Sequence, residues 1–385
     1  MHTTRSSSLD DSLSAELTAL RERGLERRLH TVDRRSVADF SSNDYLGLAS
    51  DPRLAAAAHR ATVEYGSGAT ASRLISGNTP AHDALDATLA EFFGAEQALS
   101  FSTGYAANTG IIPALVGRGD VIFADRLNHA SLIDGARLSR ATIHVYSHVD
   151  MGGLGSMLAG HRASYRRALI LTDGMFSMDG DLAPLADIVS LARQHDAWTY
   201  VDDAHAVGML GASGRGTAEL LGVEREIDVV VGTLGKAFGA AGAFALGSAT
   251  LRDFLINRAR SFVFSTGPMP AQAAAAREGL RIARDEPKHR ARALENARLL
   301  RDALGALRIK AVTECDTHII PILIGDAART TSVGRLLGER GFLVGAVRPP
   351  TVPEGTSRLR LTVSAAHEAA EIESLADAVG AVLHS

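Results

Sequence analysis

The stretch ALILTDGMFSMDGDLAPLADIVSLARQHDAWTYVDDAH, residues 168–205, decides the architecture. Ala168 to Thr172 is a short apolar run of strand length, and Trp198 to Val201 is a second. Between them Leu185, Ile188, Val189 and Ala192 fall at three- and four-residue intervals, on one face of a helix. Strand, one-sided helix and strand make a βαβ unit, which requires a parallel sheet with the helix lying across it.

Working outward, the same alternation continues. Helical patterns occupy 52–65 and 80–93, and short apolar strands are expected at 96–101 and 120–124, then at Ile227 to Val231 and Ala243 to Leu246. Beyond Pro287 a long helical pattern leads into mixed strands at 318–323, 343–347 and 358–363, and Glu368 to Leu383 reads as a closing amphipathic helix. At the other end, Leu13 to Leu29 looks like a charged amphipathic helix that opens into the aperiodic SSNDYLGL at 41–48. The expectation is an α/β chain with a mostly parallel central sheet flanked by helices. An N-terminal arm (1–45) precedes a large domain (46–283) and a smaller α+β domain (284–385).

Bulk properties exclude several function classes. With 40 Lys and Arg against 44 Asp and Glu among 385 residues, no general basic field exists to attract nucleic acid or anionic lipid, so any anion must be caught locally. The single cysteine, Cys315, allows no internal disulfide and no cysteine-rich zinc site, which fits a reducing cytoplasm. The first twenty residues lack an uninterrupted apolar core, and no later run is long enough to span a bilayer. Neither secretion nor membrane insertion is expected.

Chemistry is expected where the strands end, because open parallel sheets bind ligands beyond the carboxyl ends of their strands. Ser102-Thr103-Gly104-Tyr105-Ala106-Ala107-Asn108 opens a helix with small residues whose free amides suit a phosphate; taken alone it reads as an ordinary strand-to-helix turn. Val201-Asp202-Asp203-Ala204-His205 sets two acids and an imidazole directly after an apolar strand. It reads as a helix cap, a catalytic cluster or half of a metal site, and the spacing of His129 and Asp173 does not require them to complete one. Val229 to Gly239 is a buried strand followed by Thr233-Leu234-Gly235-Lys236-Ala237-Phe238-Gly239. A P-loop is the rival there, but the Gly-to-Lys spacing is short and Ala237 stands where a magnesium-binding Ser or Thr belongs. Apolar surroundings lower a lysine's pKa and favour the neutral amine that forms a Schiff base.

These segments together resemble the α-oxoamine synthases, a family of fold type I enzymes dependent on pyridoxal 5'-phosphate (PLP). The likeness runs through SSNDYLGL at 41–48, STGYAAN at 102–108, DRLNHAS at 125–131, FSMDGDLAPL at 176–185, VDDAH at 201–205, TLGKAFG at 233–239 and RPPTVPEGTSRLRLTVSAAH at 348–367. The resemblance implies that Lys236 carries PLP and that Asp202 faces its pyridine nitrogen. It puts His205 and Ser177 on the phenolic oxygen, His129 over the ring, and Gly104, Tyr105 and Thr233 on the phosphate. Thr266 is implied to come from a second subunit of a homodimer. Arg348 is placed on the amino acid carboxylate, with Asn43, Thr351 and an arm arginine, Arg27 in the charge-rich Glu26-Arg27-Arg28, among the substrate contacts. Gly66 to Arg73 is the main departure from the family's pattern, with altered packing beside the site as its implied consequence. The RPPTVP segment is similar to the biotin-pathway branch. This implies decarboxylative condensation of L-alanine with a pimeloyl thioester on CoA or acyl-carrier protein, with a sister acyltransferase using glycine or serine as the nearer alternative and a hydrolase built on Asp202, Asp203 and His205 as the remote one.

Overall fold

A computed structural model describes residues 8–29, 31–33 and 36–384. Residues 1–7, part of the stretch on which the expectation about secretion rests, lie outside the described residues. The strands are β1 (Ala38–Phe40), β2 (Gln97–Phe101), β3 (Val121–Asp125), β4 (Thr142–Tyr146), β5 (Ala168–Asp173), β6 (Trp198–Asp202), β7 (Val229–Thr233), β8 (Ala243–Gly247), β9 (Ile319–Gly325), β10 (Phe342–Val347) and β11 (Ser357–Thr362). Seven form one sheet in the order β2-β8-β7-β6-β5-β3-β4, and the other four form a second, β1-β10-β11-β9.

In the large sheet the neighbours from β7 to β4 pair parallel, and β8 runs antiparallel to both β7 and β2. β3 and β5 are buried along their whole length because helices cover both faces, which is why these strands read as unbroken apolar runs. On one face Ile111, Ile112, Leu132 and Leu255 pack against the sheet, and on the other Leu154, Leu158, Ile188 and Val189 do so. The small sheet packs its own core, with Ile320, Leu359 and Leu361 against Leu300, Val333, Leu337 and Leu375 of three helices.

Two features differ from expectation. The arm helix spans Ser8–Glu22 rather than Leu13 to Leu29 and buries none of its residues. Gly24 then enters the left-handed region (φ 64), which only glycine adopts without penalty, and the chain leaves the helix there. The arm also supplies β1, paired in parallel with Phe342, Leu343 and Val344 of β10 about three hundred residues later. A three-residue strand carries too little periodicity to be read alone.

Candidate active site

The parallel strands bring four chain segments to one end of the sheet. Asp125, Asp173, Asp202 and Thr233 are the last residues of β3, β5, β6 and β7, neighbours in the sheet, and Lys236 follows three residues after β7. Strands buried on both faces leave polar side chains few places except these ends, so the acids collect there.

Lys236 is the centre of the cluster. Its Nζ lies 2.7 Å from His205 Nε2. Desolvation pulls its amine down from 10.5 to about 8, with the nearby Asp202 charge opposing the shift and Arg360 assisting it. At about pH 7.5 roughly one amine in four is then neutral, against about one in a thousand for an ordinary lysine. His205 is buried, and burial followed by the charges of Lys236 and Arg360 holds it well below its usual pKa, hence neutral. Its Nδ1 lies 2.7 Å from the hydroxyl of Tyr45, which is fully buried and donates to Asn43 Oδ1 at 2.9 Å. With that hydroxyl proton on Asn43, Nδ1–H donates to the tyrosine oxygen and Nε2 accepts from the lysine.

Asp202 is held on both oxygens. Asn108 Nδ2 donates to Oδ2 at 2.6 Å and the Ala204 amide to Oδ1 at 3.0 Å. Asn108 is fully buried in the helix Gly104–Leu115 and is itself fixed by Tyr200, whose hydroxyl donates to its Oδ1 at 2.7 Å. A hydrogen bond to a charged group contributes roughly 1.5–3 kcal/mol, so this frame keeps a desolvated carboxylate in one orientation. Asn108 Nδ2 also reaches Ser131 Oγ at 2.8 Å, and that hydroxyl lies 2.7 Å from His129 Nδ1. The Ser131 amide donates to the same nitrogen, so Nδ1 is an acceptor and the neutral ring carries its proton on Nε2. Desolvation lowers the His129 pKa, consistent with that form. Its backbone N–H donates to Asp173 Oδ2 at 2.7 Å, and burial followed by the charge of Asp202 pushes the Asp173 carboxyl well up.

At the start of the helix Gly104–Leu115, Thr103 Oγ1 accepts from the Ala106 amide at 3.0 Å. The amides of Gly104 and Tyr105 take no partner among the described residues, and a Cβ on Gly104 would meet only open space. Thr233 Oγ1 accepts from the Gly235 amide at 3.2 Å. Ser177 is half-buried, and Thr266 is exposed in a loop whose Gly267 amide bonds Ala71 O at 2.9 Å. In the segment Gly66 to Arg73, Thr70 has φ 62 and Arg73 forms a buried ion pair with Asp86 at 2.8 Å.

Arg348 is not brought to this cluster. Its guanidinium donates to the Gly24 and Glu26 carbonyls of the arm, and Arg27 Nη2 meets Thr351 Oγ1 at 3.2 Å. These groups, with Met178 and Val347, line a cleft of about 720 Å³ between arm and small sheet. The arginine whose charge acts on Lys236 and His205 is instead Arg360 of β11, with both Nη atoms within 3.3 Å of Asn43 Oδ1 and Nε donating to Ser177 O at 2.6 Å. Sequence reasoning gave no role to Arg360, Asn108 or Tyr45, and it weighed Asp173 only as a metal ligand whose spacing did not require it to converge. A signal existed for the first: Arg358 and Arg360 share one strand face by their i, i+2 spacing, and charges on an otherwise apolar strand need partners. A larger cleft of about 950 Å³ lies at the opposite end of the parallel strands, beside Trp198 and Val229, and none of the strand-end acids or Lys236 lines it.

The chain matches the family "Aminotransferase class I and II" over residues 35–379. It is 51% identical over 375 residues to 8-amino-7-oxononanoate synthase of Geobacter sulfurreducens, covering 94% of this chain and 95% of that protein. Among solved structures it is similar to a serine palmitoyltransferase from S. paucimobilis with a bound PLP–myriocin aldimine, with 30% identity, 98% of each chain covered and a TM-score of 0.91. It is also similar to 8-amino-7-oxononanoate synthase from Francisella tularensis, with 27% identity, 91% of this chain and 98% of that chain covered, and a TM-score of 0.79.

Proposed function

We propose, from the premise that this chain belongs to the class I and II aminotransferases and within them to the 8-amino-7-oxononanoate synthases, that it condenses L-alanine with a pimeloyl thioester. The architecture is fold type I, and the enzyme is a PLP-dependent acyltransferase of biotin biosynthesis. The overall change forms a bond between the alanine α-carbon and the thioester carbonyl carbon. The alanine α-proton is removed, the thiol leaves from the carbonyl carbon carrying a proton, the carboxylate is lost as CO2, and a proton returns to the α-carbon in its place. The observation that carries this reading is the desolvated Lys236 amine set against neutral His205 and beside the framed Asp202 carboxylate.

The residues fit PLP. A depressed-pKa amine, an oriented buried carboxylate and two free helix-start amides with open space at Gly104 match an aldehyde, a ring nitrogen and a phosphate. When bound, the cofactor supplies an electron sink for the pair left at the amino acid's α-carbon.

The remaining work falls to side chains of this protein. Lys236 would carry the cofactor and, once displaced by the amino acid, take the α-proton on its neutral amine. Asp202 would hold a proton on the ring nitrogen, while His205 and Ser177 would contact the phenolic oxygen. Gly104, Tyr105 and Thr233 would hold the phosphate. His129, neutral with Nε2–H free to donate, would cover the ring face and polarise the thioester oxygen.

Arg360, paired with Asn43, replaces Arg348 as our choice for the amino acid carboxylate, because it is the guanidinium that shares the Lys236 cluster. Arg348, Arg27 and Thr351 are left to the thioester at the mouth of the cleft.

The same reading includes a homodimer in which Thr266 reaches the partner's site. The exposure of Phe264 (71%) and Ile75 (81%), in loops joined by the Gly267–Ala71 bond, supports it. It includes a cytoplasmic location and a division at 283/284: the helices Pro270–Asp285 and Lys288–Ala306 lie between β8 of the large sheet and β9 of the small one, and the division falls two residues before the end of the first. Among the described residues no helix is long and apolar enough to cross a membrane.

The hydrolase alternative loses Asp203, whose two oxygens are committed to the Thr217 amide and hydroxyl at 2.7 Å each. The sister-acyltransferase alternative draws on the likeness to serine palmitoyltransferase.

The test is mass-spectrometric product detection with PLP-loaded protein, pairing L-alanine, glycine or L-serine with pimeloyl, acetyl, succinyl or palmitoyl thioesters. A decarboxylated adduct only from L-alanine and the pimeloyl thioester is expected. A different preferred pair would move the chain to a sister reaction, and no adduct from any pair would overturn the reaction class.

A further inference from the structure

His148 follows β4 and takes no part in the cluster around Lys236, yet both its ring nitrogens are committed. Nδ1 lies 3.0 Å from Asp125 Oδ1 and Nε2 lies 2.7 Å from Asp181 Oδ2. Both partners are carboxylates that only accept when ionised, so both ring nitrogens must donate and the ring is an imidazolium.

Asp125 belongs to the large sheet. It closes β3, is buried, and is further held by the amides of Leu127 at 2.8 Å and Val149 at 2.9 Å. Asp181 belongs to the loop 174–183. Its other oxygen is buried without a partner, and His148 is the one cation within ion-pair distance of it among the described residues. Phe176 meets the imidazole edge-on, with ring centroids 4.4 Å apart.

The far side of this loop is gripped by the small sheet. Arg358 pairs with Asp179, Arg360 Nε donates to Ser177 O at 2.6 Å, and Thr317 Oγ1 donates to Gly180 O at 2.9 Å. The loop is thus a strap between the two sheets, with His148 as its charged anchor on one side and Arg360 on the other.

We propose that His148 is a positioning residue for the reaction: its imidazolium, bracketed by Asp125 and Asp181, sets the loop that presents Ser177 to the cofactor and fixes the angle of Arg360 toward the amino acid carboxylate. The inference rests on the reading of Lys236, Ser177 and Arg360 given above. Its chemistry is local. Removing the cation leaves two carboxylates, one buried, without their counter-charge, and the loop moves to hydrate Asp181. A displacement of Ser177 and of the Arg360 guanidinium follows, since both are coupled through the same backbone segment. The two carboxylates push the His148 pKa up to about 10 against the opposing effect of burial, so the anchor stays charged through the neutral range.

The experiment compares full-length holoenzyme with His148→Gln and Asp181→Asn, the second leaving the His148–Asp125 contact in place. Three quantities are read: retention of PLP during dialysis followed by visible absorbance, the wavelength of the bound-cofactor band, and KM for L-alanine against kcat. Both variants are expected to lose PLP about tenfold faster, to shift the band, and to raise KM for L-alanine about tenfold with a smaller change in kcat. If both keep wild-type retention, band position and KM, with only the melting temperature lowered, His148 is a structural tie and the proposal is overturned. Wild-type protein with no cofactor band and no product would instead sink the underlying functional reading, a result distinguishable from the first.

Discussion

The strand-end cluster and the arm cleft differ in how their functional groups are held. Around Lys236 four polar side chains are each fixed by a buried partner: Asp202 by Asn108, Asn108 by Tyr200, His205 by Tyr45, His129 by Ser131. In the cleft, Arg348 is satisfied by arm carbonyls and Arg27 by one exposed threonine. Buried networks of the first kind are expensive to alter, because each lost partner strands a desolvated group. Surface contacts of the second kind are worth little individually and change easily. Such a division permits the chemistry around Lys236 to stay fixed while the groups that meet the acyl partner change.

The comparison can be broken most directly at its centre. Lys236→Ala is expected to abolish the visible cofactor band and reduce turnover by about 10⁴-fold or more; retained activity would remove the lysine from the chemistry. Asp202→Asn is expected to keep some bound PLP but lower kcat by about 10²–10³-fold, measured in single-turnover assays, since on the proposed assignment it removes the charge that would face the ring nitrogen.

The pH dependence of cofactor attachment tests desolvation itself. A lowered lysine pKa means the nucleophilic neutral amine appears as pH rises through about 8, not 10.5. Stopped-flow absorbance of PLP addition to apoenzyme should therefore quicken roughly fiftyfold between about pH 6 and pH 8 and then level off. A rate still rising steeply above pH 9 would mean the amine is solvated.

Arg360→Lys and Arg348→Lys sharpen the border between the two regions. The first should raise KM for L-alanine by about 10–100-fold, because lysine cannot reproduce a forked contact with a carboxylate, and the second by less than about threefold. The reverse pattern would restore Arg348 to the carboxylate. Arg27→Ala, at the exposed end, should change KM for the thioester by no more than about fivefold, consistent with a partly hydrated contact.

Much of this was legible from residue order. Strands at 168–173 and 198–202 follow from short unbroken apolar runs, whose burial is imposed by helices on both faces, and the helix between them follows from a period of 3.6. Asp202, His205 and Lys236 stood out because charged groups at the ends of buried strands have little structural reason to cluster, and the structure brings the three together.

Sequence alone thus determined the βαβ architecture and the chemical centre, since both depend on local pattern and on which residues end a strand. Tertiary structure alone decided which arginine joins that centre. Arg348 and Arg360 lie twelve positions apart in one segment, and only the antiparallel register of β11 on β9, which pairs Arg360 with Pro321, turns Arg360 toward Ser177 and Asn43. The same holds for β1, whose partner lies at the other end of the chain, and for the His148 strap, whose carboxylates come from positions 125 and 181. Pairings of that kind depend on how separate elements meet, and no local period encodes them.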